Sequence, residues 1–322
     1  KFNIDLLVAQ NALAIPMHIP LGIALTDYIA DTGIPTLSHN HDFYWERDRF
    51  AVTCIPDLLC KAFPPDLPSV RHLVINSLAQ DSLRDHLGLE STLMPNIFDF
   101  ASAAPGMTAF NRDLRTSLGL TEEHLMILQP TRVIARKGIE LSIELVRRMR
   151  EAQYRERLMG KEPVLLITHH AGDEGMDYLR QLQEQASADD VPLLYLADRF
   201  APEGSVHEDG GKIYSLWDAY VHADFVTYPS FIEGFGNALV ETLYFRLPAL
   251  VNRYDVYAAD LAPKGFDLVE IDGKLTDDAV DRSMEAMMDP VRRRRMVETN
   301  YELARRHYSF EAVTEMVSAL FL

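Results

Sequence analysis

Short apolar runs alternate with longer stretches of helical period along nearly the whole chain, and this alternation restricts the architecture more than any other feature. The runs at residues 4–9, 35–38, 73–76, 125–129, 164–168, 193–196, 225–228 and 249–252 are mostly continuous in apolar character, without polar alternation. Strands covered on both faces read this way, as in parallel sheets flanked by helices. Between the runs, Ile139, Ile143, Val146 and Met149 recur at three- and four-residue spacing, the apolar stripe of a helix lying on a sheet. The predicted fold class is α/β with doubly wound parallel sheets.

A length of 322 residues suffices for two domains of ~100–200 residues each. The small residues and Pro-Gly turn at 101–107 break the pattern, which predicts a first domain over 1–107, a second over 108–303 and a final helix over 304–322. That helix carries an apolar stripe of Phe310, Val313, Met316, Val317 and Leu320. The first domain has only three or four strands and reads as incomplete; the chain begins at Lys1 and runs straight into a strand pattern. The run Arg292–Arg295, between Asp289 and Glu298, reads as a solvated helix face.

With 48% hydrophobic and 25% charged residues the chain has the composition of an ordinary globular protein. Asp and Glu number 48 against 31 Lys and Arg, a net charge of −17, so a polyanion meets repulsion over most of the surface and nucleic acid is not an expected partner. Cys54 and Cys60 are the only cysteines, which excludes a disulfide framework and fits a reducing, cytoplasmic compartment. No stretch reaches the ~18 uninterrupted apolar residues of a membrane span, residues 11–25 being broken by Pro16, His18 and Pro20. No signal peptide is visible.

The most informative segment is residues 228–241, Tyr-Pro-Ser-Phe-Ile-Glu-Gly-Phe-Gly-Asn-Ala-Leu-Val-Glu, which reads as strand, glycine loop and helix. Gly234 and Gly236 allow close backbone approach to a ligand, and a helix opening near Asn237 presents unpaired amides at the positive end of its dipole. Glu233 in the loop and Glu241 in the helix can flank one ligand at different depths. The plainer alternative is a tight turn followed by a solvated helix.

A second segment, residues 129–138, ends a buried strand and places Arg132, Arg136 and Lys137 at the C-terminal edge of the sheet, where open α/β sheets bind ligands. Two fixed cations ~4 Å from a diphosphate contribute up to ~4 kcal/mol each at an effective dielectric of 20, before desolvation. Mg²⁺ is then optional and no cofactor is required. The alternative is that these are surface charges.

Residues 38–49 add a loop dense in polar and aromatic groups. His41 and Asp42 suit proton transfer or substrate positioning, and Phe43, Tyr44 and Trp45 suit stacking on a sugar or base. A zinc reading of His39 and His41 lacks a third ligand; His169 and His170 read as satisfied or exposed histidines. Gly-x-Ser-x-Gly, Walker and Gly-x-Gly-x-x-Gly patterns are absent.

In this arrangement the chain resembles the retaining glycosyltransferases of the GT-B fold, specifically glycosyltransferase family 4, the glycosyl transferases group 1, with its sucrose-phosphate synthase-like and mannosyltransferase-like members. The resemblance rests on Pro95-Asn96 followed by Asp99, Arg132 with Lys137-Gly138, Asp218-Ala-Tyr-x3-Asp224, and above all Glu233-x7-Glu241. It implies two Rossmann-like domains facing a cleft, a UDP- or GDP-linked hexose donor held mainly by the second, and a small-molecule or glycan hydroxyl acceptor.

By the same resemblance, Arg132 and Lys137 hold the diphosphate, the backbone from Gly234 through Phe235, Gly236, Asn237 and Ala238 lies against phosphate and sugar, Glu233 contacts the hexose and Glu241 the ribose. His41, with His39 as the alternative, reaches the donor sugar from the first domain. Transfer retains the anomeric configuration, with the departing diphosphate deprotonating the acceptor, and the last helix packs back on the first domain. The chain departs from the family where the first domain's glycine loop is missing, where residues 96–99 read Asn-Ile-Phe-Asp, and where Thr168-His-His-Ala replaces a glycine turn. A sugar-nucleotide epimerase or hydrolase of the same fold, or a silent nucleotide-sugar-binding protein, stands as the alternative. Neither oligomeric state nor the identity of the acceptor is legible.

Overall fold

The computed structural model describes residues 4–50, 52–207 and 210–320. The chain forms two compact units, one comprising Lys1–Ile97 with Val313–Leu322 and the other Phe98–Ala312.

In the first unit the strands β1 (Leu7–Gln10), β2 (Thr36–Asn40), β3 (Val70–Val74) and β4 (Ser91–Leu93) pair in that order, all parallel. They alternate with α1 (Ile19–Thr32), α2 (Pro56–Ala62) and α3 (Ser77–Leu87). The helix ends follow from local chemistry. His18 accepts the Leu21 amide at the start of α1, and Asn76 accepts the Ala79 amide at the start of α3. Both helices stop at a left-handed glycine, Gly33 and Gly88. The expected strand at 4–9 begins only at Leu7, and because β1 is an edge strand its Val8 is 48% exposed despite the apolar run.

The second unit opens with α4 (Leu114–Ser117), β5 (His124–Gln129), α5 (Ile139–Met149), α6 (Ala152–Arg155), β6 (Glu162–Ile167), α7 (Asp177–Ala188) and β7 (Leu193–Tyr195). After β8 (Phe200–Ala201), β9 (Ser205–Val206) and β10 (Lys212–Ser215) come α8 (Leu216–His222), β11 (Phe225–Tyr228), α9 (Asn237–Tyr244), β12 (Ala249–Asn252) and β13 (Val269–Ile271). The helices α10 (Asp277–Met288), α11 (Pro290–Tyr308) and α12 (Phe310–Leu320) complete the order. Six strands make one parallel sheet in the order β13-β12-β11-β5-β6-β7, while β8, β10 and β9 form a small separate sheet. Chain order reverses direction between β5 and β11, and the loops leaving those two strands flank that switch point, where doubly wound sheets open a crevice.

The core of this unit lies between the six-stranded sheet and its helices. Ile139, Ile143, Val146 and Met149 of α5 are each fully buried, as their spacing requires, and each such side chain contributes ~1.5–3 kcal/mol. The Arg292–Arg295 run is not simply solvated: Arg292 makes a two-pronged ion pair with Asp267, and Arg293 donates to the Asp224 carbonyl at 2.6 Å, while Arg294 and Arg295 are exposed. The stretch Val269–Ile271, too short to register as a run of its own, forms the sheet's outer strand. Val313 is buried in α12, whereas Phe310 and Met316 of the same stripe are exposed. No helix among the described residues is long and apolar enough to cross a membrane. Cys54 and Cys60 are free thiols.

Candidate functional site at the switch point of the second sheet

The two loops flanking the switch point are stitched together. The Phe231 amide donates to the Arg136 carbonyl at 2.8 Å, and Arg136 Nη1 returns a bond to the Ile232 carbonyl at 2.8 Å. Lys137 Nζ pairs with Glu233 Oε1, both side chains only 9% exposed, and Arg136 Nη1 stands 3.7 Å from the other carboxylate oxygen. Burial lowers the Lys137 pKa, and the Glu233 charge acts in the opposite direction.

Gly138 explains how the loops come so close. It holds φ +60°, and a Cβ there would lie 2.5 Å from the Pro229 carbonyl oxygen, so only glycine fits both the conformation and the space. Beneath the loops, Gln129 is fully buried: its side-chain carbonyl accepts from Ser142 and Thr227 at 2.9 Å each, and its amide donates to Thr131 at 2.8 Å. One residue thereby braces β5, α5 and β11. Reading 129–138 for its charges passed over it, although a glutamine closing a buried apolar run is the visible signal.

The glycine loop also takes the expected form. Gly236, at φ +122°, caps α9, and a Cβ would meet Tyr254 Oη at 2.4 Å; that hydroxyl donates to the Phe235 carbonyl at 2.7 Å. Phe235 is buried, its ring edge-on to Tyr308. The ladder of α9 starts with the Leu239 and Val240 amides on the Gly236 carbonyl, so the amides of Asn237 and Ala238 precede it at the dipole's positive end. Glu241 accepts from Tyr220 Oη at 3.1 Å and lies 3.5 Å from Trp217 Nε1; burial raises its carboxyl pKa. Ser230 Oγ is buried without a hydrogen-bond partner among the described residues.

Arg132 is placed differently from Lys137. It pairs with Asp173 at 2.6 Å, both side chains about half exposed, and so stands at the rim on the side of the loop after β6. That loop carries His169, whose Nδ1 lies 3.0 Å from Thr168 Oγ1 and whose pKa is lowered to about 4 by burial, Lys137, His170 and Arg132. His169 is thus satisfied at Nδ1, as expected, and it also stands beside these two cations, a position that the sequence did not show.

In the first unit, His39 has both ring nitrogens engaged, by Gln10 Oε1 at 2.9 Å and the Met94 carbonyl at 3.0 Å, which leaves nothing for zinc. No group of three or more potential metal ligands occurs among the described residues. His41 is less buried; its amide donates to Asn11, its Nε2 stands 3.3 Å from Gln10 Oε1, and burial followed by His39 lowers its pKa. Asp42 pairs with Arg47 and accepts from Asn11 at 2.9 Å. The aromatic trio does not form an open stacking platform. Phe43 is fully buried, and Trp45 is stacked against both Phe43 and His86, with centroids 4.6 and 4.8 Å away, while donating to Ser82. Tyr44 packs edge-on to Trp45.

Two Rossmann-like units, each built on a parallel main sheet and one with its loops gathered at a switch point, define the α/β class of the GT-B glycosyltransferases. The glycosyl transferases group 1 profile matches residues 110–303, and the chain belongs to that family. It is 33% identical over 283 residues to the mannosylglucosylglycerate synthase of Petrotoga mobilis, covering 84% of this chain and 65% of that protein, just under two thirds of the relative's length. It is also 33% identical over 341 residues to the Thermotoga maritima enzyme of the same name, covering 98% of this chain and 75% of the relative. Among solved structures it superposes on Anabaena HepE in complex with UDP and glucose with a TM-score of 0.68 at 14% identity, over 98% of this chain and 77% of that one. The sucrose-phosphate synthase of Thermosynechococcus elongatus gives 0.64 at 16% identity, over 100% and 74%. At these identities the two structures speak for the fold alone.

Proposed function

We propose that this chain is a retaining hexosyltransferase that moves a sugar from a nucleoside-diphosphate donor to a hydroxyl acceptor. The carrying observation is the Lys137–Glu233 pair at the mouth of α9, with Arg136 stitched across it. A buried cation beside helix amides suits the charge that grows on a departing diphosphate, and Lys137 and Arg132 take that role. Glu233 binds the hexose hydroxyls, Glu241 the ribose, and the amides of residues 234–238 the phosphate and sugar. His41 is proposed as a further substrate-contacting residue. Because fixed cations supply the charge, a divalent metal accelerates the reaction at most and is not required.

Retention is part of the same proposal: a carboxylate tied to Lys137 is a poor nucleophile and a poor base, which supports a route in which the leaving diphosphate takes the acceptor's proton on the same face of the sugar. The relatives' name narrows the substrates: a nucleotide-linked mannose as donor and glucosylglycerate, which carries a carboxylate, as acceptor. The test incubates the chain with GDP- or UDP-linked mannose or glucose and glucosylglycerate, with and without EDTA. The reading expects a disaccharide-glycerate product whose new anomeric centre matches the donor by NMR. Free hexose alone, or no product from any of the donors, refutes it.

A further inference from the structure

We propose that His169 is an additional donor-binding residue, its Nε2–H donating to the diphosphate of the bound sugar nucleotide. The inference rests on the donor site assigned above and adds a third loop to it.

Sheet register places the residue. Ile167, the last residue of β6, pairs with Gln129, the last of β5, so Thr168 and His169 leave the sheet beside the loop that carries the cations. Two further contacts hold these loops together: a bridge between Val133 and Ala171, and the Arg132–Asp173 pair. Thr168 Oγ1, itself buried, sits 3.0 Å from His169 Nδ1. When that hydroxyl donates to Nδ1, the ring proton resides on Nε2, which then points a donor away from Thr168. Among the described residues nothing accepts it.

Nε2 is not among the buried atoms left without a partner, so it faces solvent beside the two cations, open to an anion that they hold. The charged groups around the ring are Lys137, paired with Glu233, and Arg132, paired with Asp173; the imidazole of His170, 3.8 Å from Asp198, is the other titratable neighbour. Burial and the positive neighbours keep His169 neutral down to a pH of about 4 in the ligand-free protein. It therefore enters as a neutral donor, adding a hydrogen bond without adding a third repelling charge.

The experiment titrates the full chain with UDP, GDP and inorganic pyrophosphate. H169F keeps the ring volume and removes Nε2–H; H169Q restores an amide N–H near the same place. The expected result is about a tenfold rise in Kd for pyrophosphate and for whichever nucleotide the wild type binds, an equal rise in donor KM, an unchanged acceptor KM, and recovery in H169Q. A donor Kd within twofold of wild type in H169F overturns the assignment, as does a loss confined to the nucleotides with pyrophosphate unaffected. Should H169F not fold, T168V, which releases the ring from its orienting hydroxyl, is expected to show the same selective loss, and unaltered pyrophosphate binding there overturns it. A wild type that binds none of the three probes refutes the donor site itself, a different failure.

Discussion

Lys137 carries a conflict that its chemistry has to exploit. Burial favours the neutral amine, the Glu233 carboxylate favours the ammonium, and the net direction is downward. The proposed role needs the ammonium, so activity should be lost as pH rises through a lysine pKa below the ordinary value, and K137R, whose guanidinium does not deprotonate, should carry its remaining activity to higher pH. K137A should lower turnover at least tenfold, about 1.4 kcal/mol of transition-state stabilisation; an unchanged kcat would remove the residue from the leaving-group site. Glu241 makes a contrasting case. Its carboxylate is braced by Tyr220 and Trp217 on α8 and makes no ion pair with Lys137, so E241Q should raise donor KM several-fold with little change in kcat. A change confined to acceptor KM would contradict its assignment to the ribose.

At the scale of elements, the approach of two loops depends on glycine geometry. Gly138 and Gly160 both hold positive φ, +60° and +82°, but only Gly138 has atoms in the way of a Cβ. G160A should therefore cost only the left-handed penalty of about 1–2 kcal/mol, while G138A should cost more and also weaken donor binding, because the Pro229 carbonyl must move. Equal melting shifts and equal donor Kd in the two variants would show that the loop contact is unimportant. The elements visible in the sequence were those with a repeated signal: apolar runs for β1, β2, β3, β5, β6, β7, β11 and β12, and a stripe for α5. The three-residue β4 and β13 and the small β8–β10 sheet bury too few consecutive apolar residues to stand out. Of the site, the glycine loop and the cations were legible because they are local. Gln129 and His169 were not, since their importance comes from what the sheet register sets beside them. Trp45 was misread for the same reason: an aromatic next to polar residues looks exposed until α3 supplies His86 and Ser82.

Across the whole molecule, histidines in both units sit where burial pushes their pKa down: His39 and His72 in the first, His169 and His222 in the second. Each is neutral in the folded chain at a pH where the unfolded chain binds a proton, so stability falls as pH drops below the ordinary histidine value of about 6.5. Net charge acts the other way. At −17 the folded molecule repels itself, and protonation relieves that repulsion as the solution is acidified. The histidine effect should dominate between pH 7 and 5, because these four groups pay desolvation inside the protein, whereas most of the excess carboxylates are on the surface and screened by salt. Urea midpoints at 0.15 M salt should therefore decrease from pH 7 to pH 5. H222Q removes one titrating ring, whose Nε2 stands 2.9 Å from the Asn111 carbonyl, and should flatten that slope even if it lowers the midpoint at pH 7. A midpoint that stays level or rises on acidification, with H222Q tracking the wild type, would mean that charge repulsion governs the acid response and that the buried histidines titrate much as they do in the unfolded chain.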